Sequence, residues 1–203
     1  MEKVENITVS EGGADLESDE NLAERIFLAP ASWSTAGPDD AYRYWVRTFN
    51  PAITDVMVGS DIPGEVDIFF ILQDGQLPEE TMIAELEQYL KNEEVRPLTD
   101  QVIVRAPEIQ EYEIDLTYYI NKSDRARASA INDQVQEAAQ KYITWQRERI
   151  GRDINPDQLR KMLLLAGAKR LEIREPQFSA ITQAGIALPV GEIRVLYGGI
   201  EDD

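Results

Sequence analysis

The chain has no cysteine and no histidine among its 203 residues. Without thiols there are no disulfides, thiolate zinc sites, iron–sulfur clusters or cysteine nucleophiles. Without imidazole there is no Ser-His-Asp triad and no histidine-ligated metal. Basic charge is scarce as well: 20 lysines and arginines against 38 acids leave a formal charge of −18. A surface of that sign repels phosphate backbones and anionic bilayers, so nucleic-acid and membrane partners are not expected. No apolar run approaches the roughly 20 residues that a membrane-spanning helix needs. Met1-Glu2-Lys3-Val4-Glu5 has neither a basic n-region nor an apolar h-region, so no signal peptide is expected, and the lack of cysteine fits a reducing compartment. What is present, 43% hydrophobic and 29% charged residues, is the composition of a globular protein. At this length a chain buries roughly 70% of its unfolded surface without covalent staples.

The charge is uneven along the chain. Residues 2–24 hold eight acids against Lys3 alone, whereas residues 141–174 hold nine bases against four acids. Two readings stand: an acidic arm with a separate solvated basic helix face, or a head-to-tail electrostatic match between copies or with a partner.

The residue pattern predicts an α+β protein in which a short helical segment precedes two small units. Ser18, with Asp19 and Glu20 after it, caps a helix whose Leu22 and Ile26 lie four apart. A second helix follows Gly37-Pro38 and carries Ala41, Trp45 and Phe49 on one stripe until Pro51. Then comes a ββαβ unit: a strand over Ile53–Gly59, a turn at Pro63-Gly64, and a strongly apolar central strand over Val66–Leu72. Its helix carries Met82, Ile83, Leu86, Tyr89 and Leu90, and its last strand covers Gln101–Ala106. A βααββ unit follows. One alternating strand over Glu111–Asn121 puts Tyr112, Ile114, Leu116, Tyr118 and Ile120 on one face. A helix of about 25 residues then carries Ile131, Val135, Ala138, Tyr142 and Trp145. Asn155-Pro156 opens a further helix, which Gly167 ends, and strands over Ala168–Glu175 and Gly191–Tyr197 close the unit. The expectation is helices layered on mostly antiparallel, ferredoxin-like sheets. The expected organisation is 1–50 as acidic arm and helical segment, 51–108 as the first unit and 109–203 as the second.

Catalytic chemistry finds little to use. Gly12-Gly13 and Gly198-Gly199 are isolated pairs that do not join a strand to a helix, so no phosphate loop is expected. The acidic run Asp15–Glu20 lacks the spacing of a calcium loop and reads as a capped helix start. No catalytic residue, metal site or cofactor is expected, and the chain is not read as an enzyme. Trp33 stands out because it lies in the loop before Pro38, where a large aromatic either plugs its own core or anchors a partner.

Several loops carry a resemblance. Asp15–Glu20 with Leu22 and Arg25-Ile26 comes first, followed by Gly37-Pro38-x-x-Ala41-Tyr42, Pro63-Gly64-x-Val66 and Asp74-Gly75. Then come Val95-Arg96-Pro97-Leu98-Thr99-Asp100 and Gly151-x-x-Ile154 with Leu159. In order and spacing this series resembles the baseplate J-like family of contractile-tailed phages, from about Gly12 to Ile200. Gly64 suits the third position of a type II turn, and Arg96 and Pro97 suit a helix end, with an Arg96–Asp100 contact expected to pin the loop. Gly151 suits a bend between two helices. The resemblance implies a structural wedge subunit of a phage or prophage baseplate, made in the bacterial cytoplasm and found in the virion tail. Its implied partners are other wedge proteins and copies of itself. Family members carry a further region ahead of the acidic segment, so the resemblance implies a chain shortened at that end. The alternatives are a small-molecule-binding regulatory module on ferredoxin-like units and, further off, a carboxylate-dependent hydrolase.

Overall fold

The computed structural model describes residues 17–33, 39–91 and 101–202, the side chains of Ser32 and Trp33 excepted. Helix α1 (Asp19–Leu28) runs into a 3-10 turn over Ala29–Trp33, and α2 (Asp39–Phe49) follows. Strands β1 (Ile53–Gly59) and β2 (Glu65–Leu72) form a hairpin, and α3 (Glu80–Leu90) leads to β3 (Gln101–Arg105). The remainder is β4 (Glu108–Tyr112), β5 (Asp115–Asn121), α4 (Ala128–Arg147), α5 (Pro156–Leu165), β6 (Arg170–Glu175), β7 (Gly185–Pro189) and β8 (Arg194–Glu201).

The α+β class holds, and β2 is central as its apolar run implies, in a sheet ordered β1-β2-β3. The sheets, however, are mixed and not mostly antiparallel. β1–β2 and β5–β6 are antiparallel, whereas β2–β3, β4–β7 and β5–β8 are parallel. Alternation of apolar residues reports burial and is blind to strand direction. Connection length decides it: a crossover carrying a helix returns the next strand to the same end of the sheet. α3 does this between β2 and β3. The single strand expected over residues 111–121 is two, β4 and β5, which pair in different sheets. Its inward face survives the break, because Tyr112, Ile114, Leu116, Tyr118 and Ile120 are all buried.

Two apolar cores result. In the first, Tyr42 and Val46 of α2 and Leu86 and Leu90 of α3 cover Ile68, Phe70, Val102 and Val104 of the sheet. In the second, Ile131, Val135 and Tyr142 of α4 and Leu159 and Leu163 of α5 cover the inward face of β5. The long helix begins later than its sequence suggests, since Lys122–Arg127 winds as a 3-10 turn first. Asn155 caps α5 by accepting from the Asp157 N–H at 2.9 Å, and Pro156 fills the first turn.

The cores meet at the C-terminal end of α4. The Asp55 carboxylate of β1 accepts from the Ile150 N–H at 2.9 Å. The 3-10 turn Gln73–Gly75 lies against Arg147, and Gly75 has φ +65. A Cβ at Gly75 would overlap the Arg147 carbonyl oxygen and sit 2.7 Å from its Cγ. Gln146, wholly buried, donates to the Arg152 and Asp153 carbonyls at 2.9 and 3.1 Å and so closes the elbow after α4.

Gly75→Ala is expected to destabilise the chain by about 3 kcal/mol, because left-handed strain and overpacking add. Gly64→Ala, whose Cβ meets open space at φ +89, is expected to cost only the left-handed strain of about 1–2 kcal/mol. Urea unfolding of the two variants separates packing from backbone strain.

Candidate interaction surface

Helix α1 is built with its polar side inward. Ser18 caps it, its Oγ accepting from the Asn21 N–H at 3.2 Å. Arg47 of α2 is buried, and a buried guanidinium is stable only when its donors are answered. It donates to the Thr54 carbonyl at 2.8 Å and to Asn21 Oδ1 at 3.4 Å, and pairs with Glu24 at 2.8 Å. Asn21 Nδ2 donates in turn to the Pro51 carbonyl at 3.3 Å. Arg25 forks onto Glu17 at 3.0 and 2.7 Å, which holds the Glu17 carboxyl below its ordinary range. With Asn21, Glu24 and Arg25 used this way, the apolar stripe turns to solvent. Leu22, Ile26 and Phe27 are 39%, 63% and 79% exposed. The helix that the Leu22–Ile26 spacing implies is present, and its inward side is Asn21 and Leu28. Covering such side chains is worth about 1.5–3 kcal/mol each, which is a reason to expect something to cover them.

A second uncovered apolar surface lies between α4 and α5. Ala138, Met162, Leu165 and Ala166 line a groove of about 400 Å³, with Gln134, Glu137 and Lys141 on its α4 wall. Leu165 is 79% exposed. Lys161, also exposed, lies one turn before Leu165 on α5.

The outward face of the β6-β5-β8 sheet is covered by ion pairs. Arg170 stacks 3.9 Å over the Tyr119 ring and reaches Glu172 at 2.6 Å and Glu201 at 3.0 Å. Arg174 and Arg194 share Asp115, the latter at 2.9 Å. Hydrogen bonds from these guanidinium groups hold Asp115, Glu172 and Glu201 below the usual carboxylate range. The basic charge of residues 170–174 is thus answered within the chain, which removes it from a head-to-tail match.

Of the six residues singled out in the sequence, Gly64 and Gly151 lie wholly among the described residues. Gly64 sits in the β1–β2 turn, closed by the Glu65 N–H donating to the Ile62 carbonyl at 2.9 Å. Gly151, at φ +72, sits beyond α4, where its N–H donates to the Gly185 carbonyl at 2.7 Å. Arg96, Pro97, Asp100 and the Trp33 side chain lie outside the described residues. The α1 surface was missed because spacing alone does not say which of two stripes faces inward. The signal that decides it is Arg47, on another helix.

Among the described residues no three carboxylates stand close enough together to hold a metal, and no helix is long and apolar enough to cross a membrane. What stands out among the described residues is a pair of uncovered apolar helix surfaces on a two-core α+β frame. Comparison with known proteins gives that frame its family. The baseplate J-like central domain matches residues 34–106, and the baseplate J-like C-terminal domain matches residues 114–196, together more than half the chain. The chain is 31% identical over 199 residues to baseplate protein J of Escherichia phage P2, covering 96% of this chain and 64% of that protein. It therefore spans a little under two thirds of this relative's length. A chain in the cryo-EM structure of the anti-feeding prophage baseplate, six-fold symmetrised, shares the fold at a TM-score of 0.51 and 15% identity, over 85% of this chain and 42% of that one. The chain belongs to the baseplate J-like family.

Two outcomes follow from the anchoring of α1. Arg47→Met, which leaves Asn21, Glu24 and the Thr54 carbonyl unanswered, is expected to lower stability by about 1–3 kcal/mol in thermal unfolding. Glu17, with its folded pKa lowered from the ordinary 4.5, contributes stability that is complete above that value and is lost as pH falls through the folded one. The gap in Tm between the native chain and Glu17→Gln is expected to narrow between pH 7 and about pH 3.

Proposed function

We propose that this chain is a structural subunit of a contractile-tail baseplate, of phage or prophage origin, and that it works through protein–protein contacts and not through catalysis. The observation that carries the reading is α1: a helix of a baseplate J-like protein held by buried polar bonds with Leu22, Ile26 and Phe27 facing outward. In this reading its partners are other wedge proteins and copies of itself. Residues 1–50 supply an arm and helical segment, and 51–108 and 109–203 supply two α+β units. Trp33 is a further proposed anchor, and the 92–100 loop with Arg96, Pro97 and Asp100 is proposed as a structural joint.

The test is mass spectrometry of purified tail particles carrying either the native chain or the double variant Ile26→Asp, Phe27→Asp. Both positions are exposed, so the variant is expected to unfold within about 0.5 kcal/mol of the native chain. The native chain is expected in the particles at a fixed ratio to the other tail proteins. The variant is expected to be depleted from particles and abundant as free protein. Absence of the native chain from assembled particles would end the baseplate reading.

A further inference from the structure

We infer that the free edge of β4 takes up an extended basic segment of another protein, as a third strand of the β4–β7 sheet. Such a contact goes beyond the structural-subunit reading by naming the chemistry of a partner, and it is tested apart from that reading.

The β4–β7 pair is parallel and stands by itself as a two-stranded sheet. It runs from Glu108 opposite Gly185 to Tyr112 opposite Pro189 without a bulge. Parallel strands ordinarily lie inside larger sheets, covered on both faces. Here β7 is the inner strand, with Gly185, Ile186 and Ala187 buried, whereas β4 is exposed over Glu108–Glu111. The Glu108 N–H donates to the Ala184 carbonyl at 3.0 Å, and the Tyr112 carbonyl accepts from the Val190 N–H at 2.8 Å. Backbone groups alternate sides along a strand, so the N–H and C=O of Ile109 and Glu111 point away from β7. Among the described residues nothing pairs with these four groups. A strand laid beside β4 answers all of them.

Charge selects the occupant. Glu108 and Glu111 stand on the strand, and Glu111, Glu113 and Glu175 line a cleft of about 550 Å³ at its C-terminal end. Asp61 and Glu108 line a second cleft, of about 380 Å³, at the other end. All five acids are exposed, and among the described residues none is in an ion pair. Arg105, which also lines the second cleft, is taken by Asp67 at 2.6 Å.

An open edge pairs with any strand, copies of its own chain included, unless charge opposes it. These acids oppose a copy, which brings a formal charge of −18 and the same acidic edge. They favour a strand with lysine or arginine at alternate positions. Apolar residues between the bases find contacts as well. Ile109 on the strand is 52% exposed, and Phe178 at the first cleft is 63% exposed.

The probe is a capped hexapeptide of alternating lysine and valine, added to the full chain at low salt. It is expected to slow amide exchange at Ile109 and Glu111 several-fold, as followed by NMR, and to change Gln110, already turned to β7, much less. The same peptide N-methylated at every peptide bond keeps its charge and loses its donors, and is expected to bind several-fold more weakly. Ile109→Pro removes one outward N–H without altering charge or a bond to β7, and is expected to weaken binding of the first peptide likewise. Equal binding of the two peptides, or unchanged exchange at Ile109 and Glu111 when the peptide is bound, means contact with acidic surface only and overturns the inference. The peptide pair is read on the native chain, so the outcome stands even where Ile109→Pro fails to fold. Tail particles are not used, so failure here leaves the baseplate reading intact, and absence of the chain from particles leaves the strand edge intact.

Discussion

Arg47 is a buried cation on the inner side of α2, and the position of α1 follows from how its charge is answered. Its donors take the Thr54 carbonyl and the Asn21 side chain, and its charge is met by Glu24. A buried guanidinium donor left without a partner is costly, because a desolvated cation has little water to take the partner's place. The helix is therefore packed by hydrogen bonds, and its apolar side is left outside. In a monomer this wastes a hydrophobic stripe.

The rest of the frame keeps that surface in a defined relation to the α4–α5 groove. The two cores are separate clusters, but they are joined by contacts that tolerate little change. Asp55 takes the Ile150 N–H, and the turn at Gly75 presses on the last residue of α4 without space for a side chain. Gln146 satisfies the elbow carbonyls from within the protein. Arg152 stacks 4.1 Å over Trp145 beside them, and burial lowers its pKa.

Much of the fold was legible in the sequence, for identifiable reasons. Inward faces set by strict alternation, such as Tyr112 to Ile120, came out correctly because period-two patterning reports burial whatever the strand pairs with. Caps at Ser18 and Asn155 came out because their chemistry is local. Strand direction did not, nor did the break at Glu113 that sends β4 and β5 into different sheets. Both depend on pairings with β7 and β8, nearly 80 residues on. The family, too, was legible, since its turns depend on glycines and prolines that leave marks in sequence order.

The interaction surface divides along the same line. By itself the sequence determined the acid-capped first helix, the apolar residues at 22, 26 and 27, the lack of thiol and imidazole chemistry, and the acidic balance. These are properties of residues and their near neighbours along the chain. Only the tertiary structure decided that Leu22, Ile26 and Phe27 face outward. That choice rests on Arg47, which meets Asn21 from 26 residues away. Likewise, only the packing of α5 on α4 left Leu165 beside an open groove. Which side of an amphipathic helix is inside depends on what it meets, and sequence spacing is the same either way.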